Sequence, residues 1–121
     1  MIAAIEQAVA EAREQLGPGL IAVEVWDSRT GLGYYQSNPA TAAMLNTAIC
    51  DLKVALAAGN SGELDDWVVL DLDDRTVVVM LCPPLLEAAL ILDTAAVDLT
   101  DVLTRTVPDL VARFRSVQNK T

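Results

Sequence analysis

A chain of 121 residues that is 53% hydrophobic, with a mean hydropathy of +0.37, has ample material for one well-filled domain and more apolar surface than a lone small domain needs. Seventeen acidic against eight basic side chains give a net charge of −9, which argues against nucleic acid and anionic membranes as partners, since both require basic patches. Histidine is absent, which excludes a Ser-His-Asp triad and His-built zinc sites.

The chain opens on Ile2, Ile5, Val9, Ala12 and Leu16, spaced three, four, three and four, which predicts an amphipathic helix over 2–16. Glu6, Glu11, Arg13 and Glu14 form its solvated side, and Gly17-Pro18-Gly19 ends it. Leu20 to Trp26 is a β run, Asp27 to Gly31 a turn, and Leu32 to Gln36 the returning strand. Gly33 in that strand marks either a bulge or a close backbone approach. A helix follows over Ala40 to Ala58, with Asn38-Pro39 as N-cap and N1 and Gly59-Asn60 as its stop. After a polar loop, Asp66 to Leu72 reads as the third strand, Asp73-Asp74 as a two-residue turn, and Arg75 to Cys82 as the fourth strand. The fourth strand is apolar on both faces after Thr76, which suits an inner strand. Beyond Pro83-Pro84, Leu86 to Leu92 is read as the fifth strand from its short length and its place after the turn. The closing helix presents Leu99, Val102, Leu103, Thr106, Leu110, Val111 and Phe114 on one face. Pro108 inside it predicts a kink or a division into two pieces. Asp101–Arg105 and Asp109–Arg113 are four-apart pairs in the favourable order, and Gln118 to Thr121 is expected to fray. The order helix, strand, strand, helix, strand, strand, strand, helix predicts an α+β, three-layer sandwich around a five-stranded antiparallel sheet, as one domain over 1–121.

The helix over 40–58 organises this layout, because it is apolar on nearly every side. Leu45, Ile49, Leu52 and Leu56 form one stripe of large residues suited to a core. Met44, Thr47, Asp51, Val54 and Ala58 form a second stripe, flanked by Ala43, Cys50 and Ala57. A helix with two apolar faces needs two partners. The first is the chain's own sheet and the second, on this reading, is another copy of the chain. High alanine content also raises helix propensity by itself, without any partner.

The residues offer little for catalysis. Cys50 and Cys82 lie in apolar runs and are expected to be buried free thiols. The acidic group Glu63, Asp65, Asp66, Asp71, Asp73 and Asp74 lacks the spacing and glycine of a calcium loop and reads as a solvated rim guarding a strand edge. No Gly-rich phosphate loop carries a lysine, so no nucleotide or other cofactor is expected. Trp26 and Trp67 stand at strand ends, where an indole serves as a core lid or an interface anchor. No basic region precedes a hydrophobic core at the N-terminus, and no stretch of about 18 apolar residues runs free of charge. A cytoplasmic location is expected.

With the opening amphipathic helix, the Asp27-to-Gly31 turn, the small-residue helix 40–58, the Asp73-Asp74 hairpin, the LEAALILD run and the closing helix from Asp98, the chain resembles the roadblock family, also called the dynein light chain roadblock type. The DSRTG turn is longer than the family's usual Asp-x-x-Gly, and Pro108 is a second departure. The resemblance implies a profilin-like roadblock fold and a homodimer in which second helices pack side by side and third strands pair edge to edge. Met44, Thr47, Asp51, Val54, Ala58, Trp67 and Val69 would then form the interface, over roughly 1,200–2,000 Å². It further implies a non-catalytic platform that binds and regulates a Ras-like small GTPase, as bacterial members do for gliding-motility GTPases, or an adaptor subunit of a larger complex. Such regulators arrange the GTPase's own residues, so Arg29 and Arg75 are given no catalytic role. The alternative from the residues alone is a small-molecule sensor domain, which would need an apolar cavity of several hundred Å³. The tight apolar filling and the few internal polar residues expected of this chain argue against that alternative.

Overall fold

The computed structural model describes the backbone of residues 1–119 and the side chains of 1–117. Helix α1 spans Ile2–Leu16 and is stopped by Gly17, whose φ of +58° only glycine adopts without strain. Strands β1 (Leu20–Asp27) and β2 (Gly33–Gln36) form the first hairpin, helix α2 spans Pro39–Ala58, and β3 (Trp67–Asp71), β4 (Thr76–Leu81) and β5 (Leu86–Asp93) follow. The chain closes on α3 (Leu99–Asp101), a π turn over Val102–Thr106, and α4 (Val107–Asn119).

The five strands form one antiparallel sheet in the order β2-β1-β5-β4-β3. The fold is the expected α+β sandwich, and β5 is a strand, central in the sheet. Alternation along the strands sorts side chains into two cores. Val23 and Val25, Val77, Val79 and Leu81, and Ala88, Leu90 and Leu92 pack under α1 and α4, against Ile5, Val9, Leu110, Val111 and Phe114. The opposite set, Trp26, Val78, Met80, Cys82 and Ala89, packs under α2 against Ile49, with Leu45 beside it.

Several local expectations are corrected. Ile2, placed on the inner face of α1 by its spacing, is exposed, and the buried face of the helix begins at Ile5. The β3–β4 turn holds three residues, not two. Leu72 N–H donates to the Thr76 carbonyl, and the Asp73 carboxylate accepts the Arg75 and Thr76 N–H groups at 2.8 and 2.7 Å. Helix α2 does end at Gly59-Asn60 as expected, with Gly59 as C-cap at a helical φ of −82° and the chain turning at Asn60, φ +52°. The bulge expected at Gly33 is present: the β1–β2 register shifts between Val25–Tyr35 and Trp26–Gly33. Pro108 does not divide the last helix. It lacks an N–H, and its ring crowds the carbonyl four residues back. The preceding turn widens to π geometry, with Val107 N–H donating to the Val102 carbonyl, and the run stays helical from Leu99 to Asn119. The helix is described through Asn119, and the rest of the expected frayed tail, residues 120–121, lies outside the described residues.

Candidate interaction surface

Helix α2 lies on the sheet by a narrow stripe. Ala42 and Ile49 are buried and Leu45, Leu52 and Leu56 are half-buried, which is the predicted inner face. The predicted outer stripe, Met44, Thr47, Asp51, Val54 and Ala58, is exposed, with Met44 and Val54 at 68% each. Cys50 is exposed among them, contrary to the buried thiol expected. It lies about 100° around the helix from Ile49, outside the stripe that meets the sheet, so an apolar neighbourhood in sequence did not translate into burial. Cys82 is buried, and burial, with the charge of Glu87 adding to it, pushes its thiol up to about 11. By length and composition α2 could cross a membrane. It also carries Asp51 and Lys53, and its inner stripe is packed on the sheet.

Beside its apolar stripe, α2 is anchored by two buried carboxylates of the sheet, Glu24 and Glu87. Glu24 on β1 is fully buried on the α2 side of the sheet. Its carboxylate accepts the N–H groups of Ser37 at 3.0 Å and Asn38 at 2.7 Å. The Asn38 side chain in turn accepts from Ala40 and Thr41 N–H, so the helix start is capped by Asn38 and braced from the sheet by Glu24. Burial raises the pKa of Glu24, against the opposing pull of the Asn38 and Ser37 N–H groups. Glu87 on β5, 1% exposed, accepts the Trp26 indole N–H at 2.9 Å and pairs with Lys53 of α2. Trp26 is thus a core side chain with its one polar atom satisfied. The sparse internal polarity expected from the sequence is overturned by these two glutamates. Their signal was present: Glu24 is the lone charge in the run 20–26, Glu87 the lone charge in the run 86–92, and Lys53 the lone cation of α2.

The second exposed feature is the sheet edge. β3 pairs with β4 on one side only. Trp67 at its start is 42% exposed and Val69 is half-buried against the α1/α4-side core. Asp66, one residue ahead, pairs with Arg115 of α4 and so ties the strand to the last helix. A cleft of about 600 Å³ opens between the C-terminal end of α2, the 60–64 loop and Pro84, with Lys53, Leu56, Leu64 and Cys82 in its walls. Among the described residues no three His, Cys, Asp or Glu side chains gather where they could share a metal ion.

An antiparallel sheet in the order 2-1-5-4-3, with one long helix on one face and two on the other, is the roadblock fold. Among solved structures, MglB of Myxococcus xanthus superimposes with a TM-score of 0.73 at 10% identity, over 95% of this chain and 90% of that one. A Roadblock/LC7 domain from Streptomyces avermitilis gives 0.68 at 18% identity, over 89% and 92%, and the gliding protein MglB of Thermus thermophilus gives 0.64 at 17%, over 92% and 90%. No protein-family model and no curated protein sequence matches the chain.

Proposed function

We propose that this chain is a single, non-catalytic roadblock-type domain over 1–121 that works as a homodimer and binds, to regulate or scaffold, a Ras-like small GTPase. The observation that carries the reading is α2: a 20-residue apolar helix buried along one stripe, with Met44 and Val54 open to water on another. Exposed apolar surface of this kind marks a protein contact. The small residues Ala43, Thr47 and Ala58 let a second α2 approach closely, and the open β3 edge with Trp67 and Val69 extends the same surface. The GTPase partner follows from the resemblance of the sequence to the roadblock family. A cytoplasmic setting accords with it.

Sedimentation at micromolar concentration, followed by capture of a candidate GTPase in its GDP and GTP states, tests both parts. A dimer that retains the GTP-bound form supports the reading, and phosphate release then distinguishes regulation from scaffolding. A monomer at that concentration rejects the homodimer. A dimer that retains no Ras-like GTPase in either state leaves the adaptor role as the better account. The cleft beside Lys53 favours a second reading, a small-molecule sensor. A ligand seated there would raise the melting temperature in a concentration-dependent way.

A further inference from the structure

The ladder between β3 and β4 determines which backbone groups of β3 remain open. Cys82 N–H donates to the Asp66 carbonyl at 2.9 Å and Leu72 N–H donates to the Thr76 carbonyl at 3.0 Å. Between them the register runs without a shift from Trp67–Leu81 to Asp71–Val77. Alternation in an antiparallel ladder then turns residues 66, 68, 70 and 72 toward β4, and the N–H and C=O groups of Trp67, Val69 and Asp71 toward the open edge. The three side chains share one face of the sheet, the one on which Val69 meets the α1/α4 core.

Resting on the homodimer reading above, we propose that the β3 edges of two copies pair in one register, centred on Val69, which sets Trp67 of each chain opposite Asp71 of the other. Two arguments select this register. The first is hydrogen-bond satisfaction. A two-fold axis at Val69 engages all three outward donors and all three outward acceptors of each chain. An axis at Val68 or Leu70 engages two of each and strands the rest. The second is charge. With the axis at Val69, the two Asp71 carboxylates stand roughly 13 Å or more apart, four residues at about 3.3 Å each, beyond the ~8 Å screening length of physiological salt. With the axis at Leu70 they become diagonal neighbours at about 7–8 Å, and with the axis at Asp71 they face each other. The chosen register instead brings the carboxylate of Asp71 beside the indole of the partner's Trp67, whose N–H is a donor without an acceptor role. The edge is therefore self-complementary: a Trp at one end, an Asp at the other, and Val69 midway.

Directed cross-linking tests the register. In a Cys50→Ser background, which removes the exposed thiol and leaves only buried Cys82, chains carrying Trp67→Cys and Asp71→Cys are mixed, allowed to exchange and oxidised mildly. The 67–71 link should exceed 67–67 and 71–71 links by at least ~5-fold, because like positions then lie beyond the ~7 Å Cα reach of a disulfide. Val69→Cys, which keeps both Trp67 and Asp71, should cross-link to itself. A dominant 67–69, 69–71 or 71–71 link, or a dimer by sedimentation with no link at any of these positions, overturns the register while the homodimer stands. A monomer by sedimentation overturns both.

Discussion

At the scale of single residues, the decisive side chains are acids. Glu24 accepts two backbone N–H groups with its two oxygens. Glu24→Gln keeps the shape but turns one acceptor into a donor facing an N–H. Urea unfolding should show a loss of about 1–3 kcal/mol, the cost of an unsatisfied buried group. Lys53→Met leaves the Glu87 carboxylate buried without its cation. The same measurement should show a loss of roughly 1–3 kcal/mol, less than for a fully buried pair because the Lys53 side chain is 41% exposed. The acids also set the pH profile. The Arg29 N–H foremost holds Asp27 below the ordinary carboxylate range, the Arg75 and Thr76 N–H groups do so for Asp73, and the Arg75 guanidinium does so for Asp93. Such groups contribute in full above their unfolded value near 3.9 and lose that contribution as pH falls through their lower native values. Glu24 has the opposite sign. The cost of its buried charge is full above its raised native value and disappears as pH falls toward the ordinary glutamate value near 4.3. Denaturation midpoints should therefore hold or rise from pH 7 to 5 and fall below about pH 4, with a shallower acid limb in Asp27→Asn.

At the scale of elements, α2 shows what patterning can and cannot reveal. The stripe of Leu45, Ile49, Leu52 and Leu56 was legible, because large residues spaced three and four apart define a face. The exposure of Cys50 was missed where the apolar run around it was weighed above its place beside the outer stripe of Thr47 and Asp51. Met44→Glu or Val54→Glu should leave the monomer fold intact, since both positions are exposed in it, and shift sedimentation from dimer to monomer. A thiol reagent offers an independent reading. Cys50 should react quickly in the separated monomer and at least ~10-fold more slowly in the dimer, while Cys82 reacts only on unfolding. The π turn before Pro108 was likewise hidden. A proline announces a disturbed helix, but whether the chain bends, breaks or widens one turn depends on what the next turns must reach. Here Val107, Leu110, Val111 and Phe114 are all seated in the core.

At the scale of the whole molecule, the outer flank of α2 and the edge of β3 are two open surfaces that carry apolar side chains, Met44 and Val54 on the first and Trp67 on the second. If both are covered by a second copy, the melting temperature should rise with protein concentration, as mass action requires for a folded dimer, and Val54→Glu should abolish that dependence. The amino-acid sequence alone determined the number, kind and order of the elements, because periodicity, caps and turn residues are local and each segment carries its own. It also determined which stripe of α2 holds the large side chains. Strand order belonged to the tertiary structure, since pairing joins residues distant along the chain. Only once β5 was placed in the middle and β3 at the rim did Glu24 and Glu87 become buried anchors and Trp67, Val69 and Asp71 an open edge.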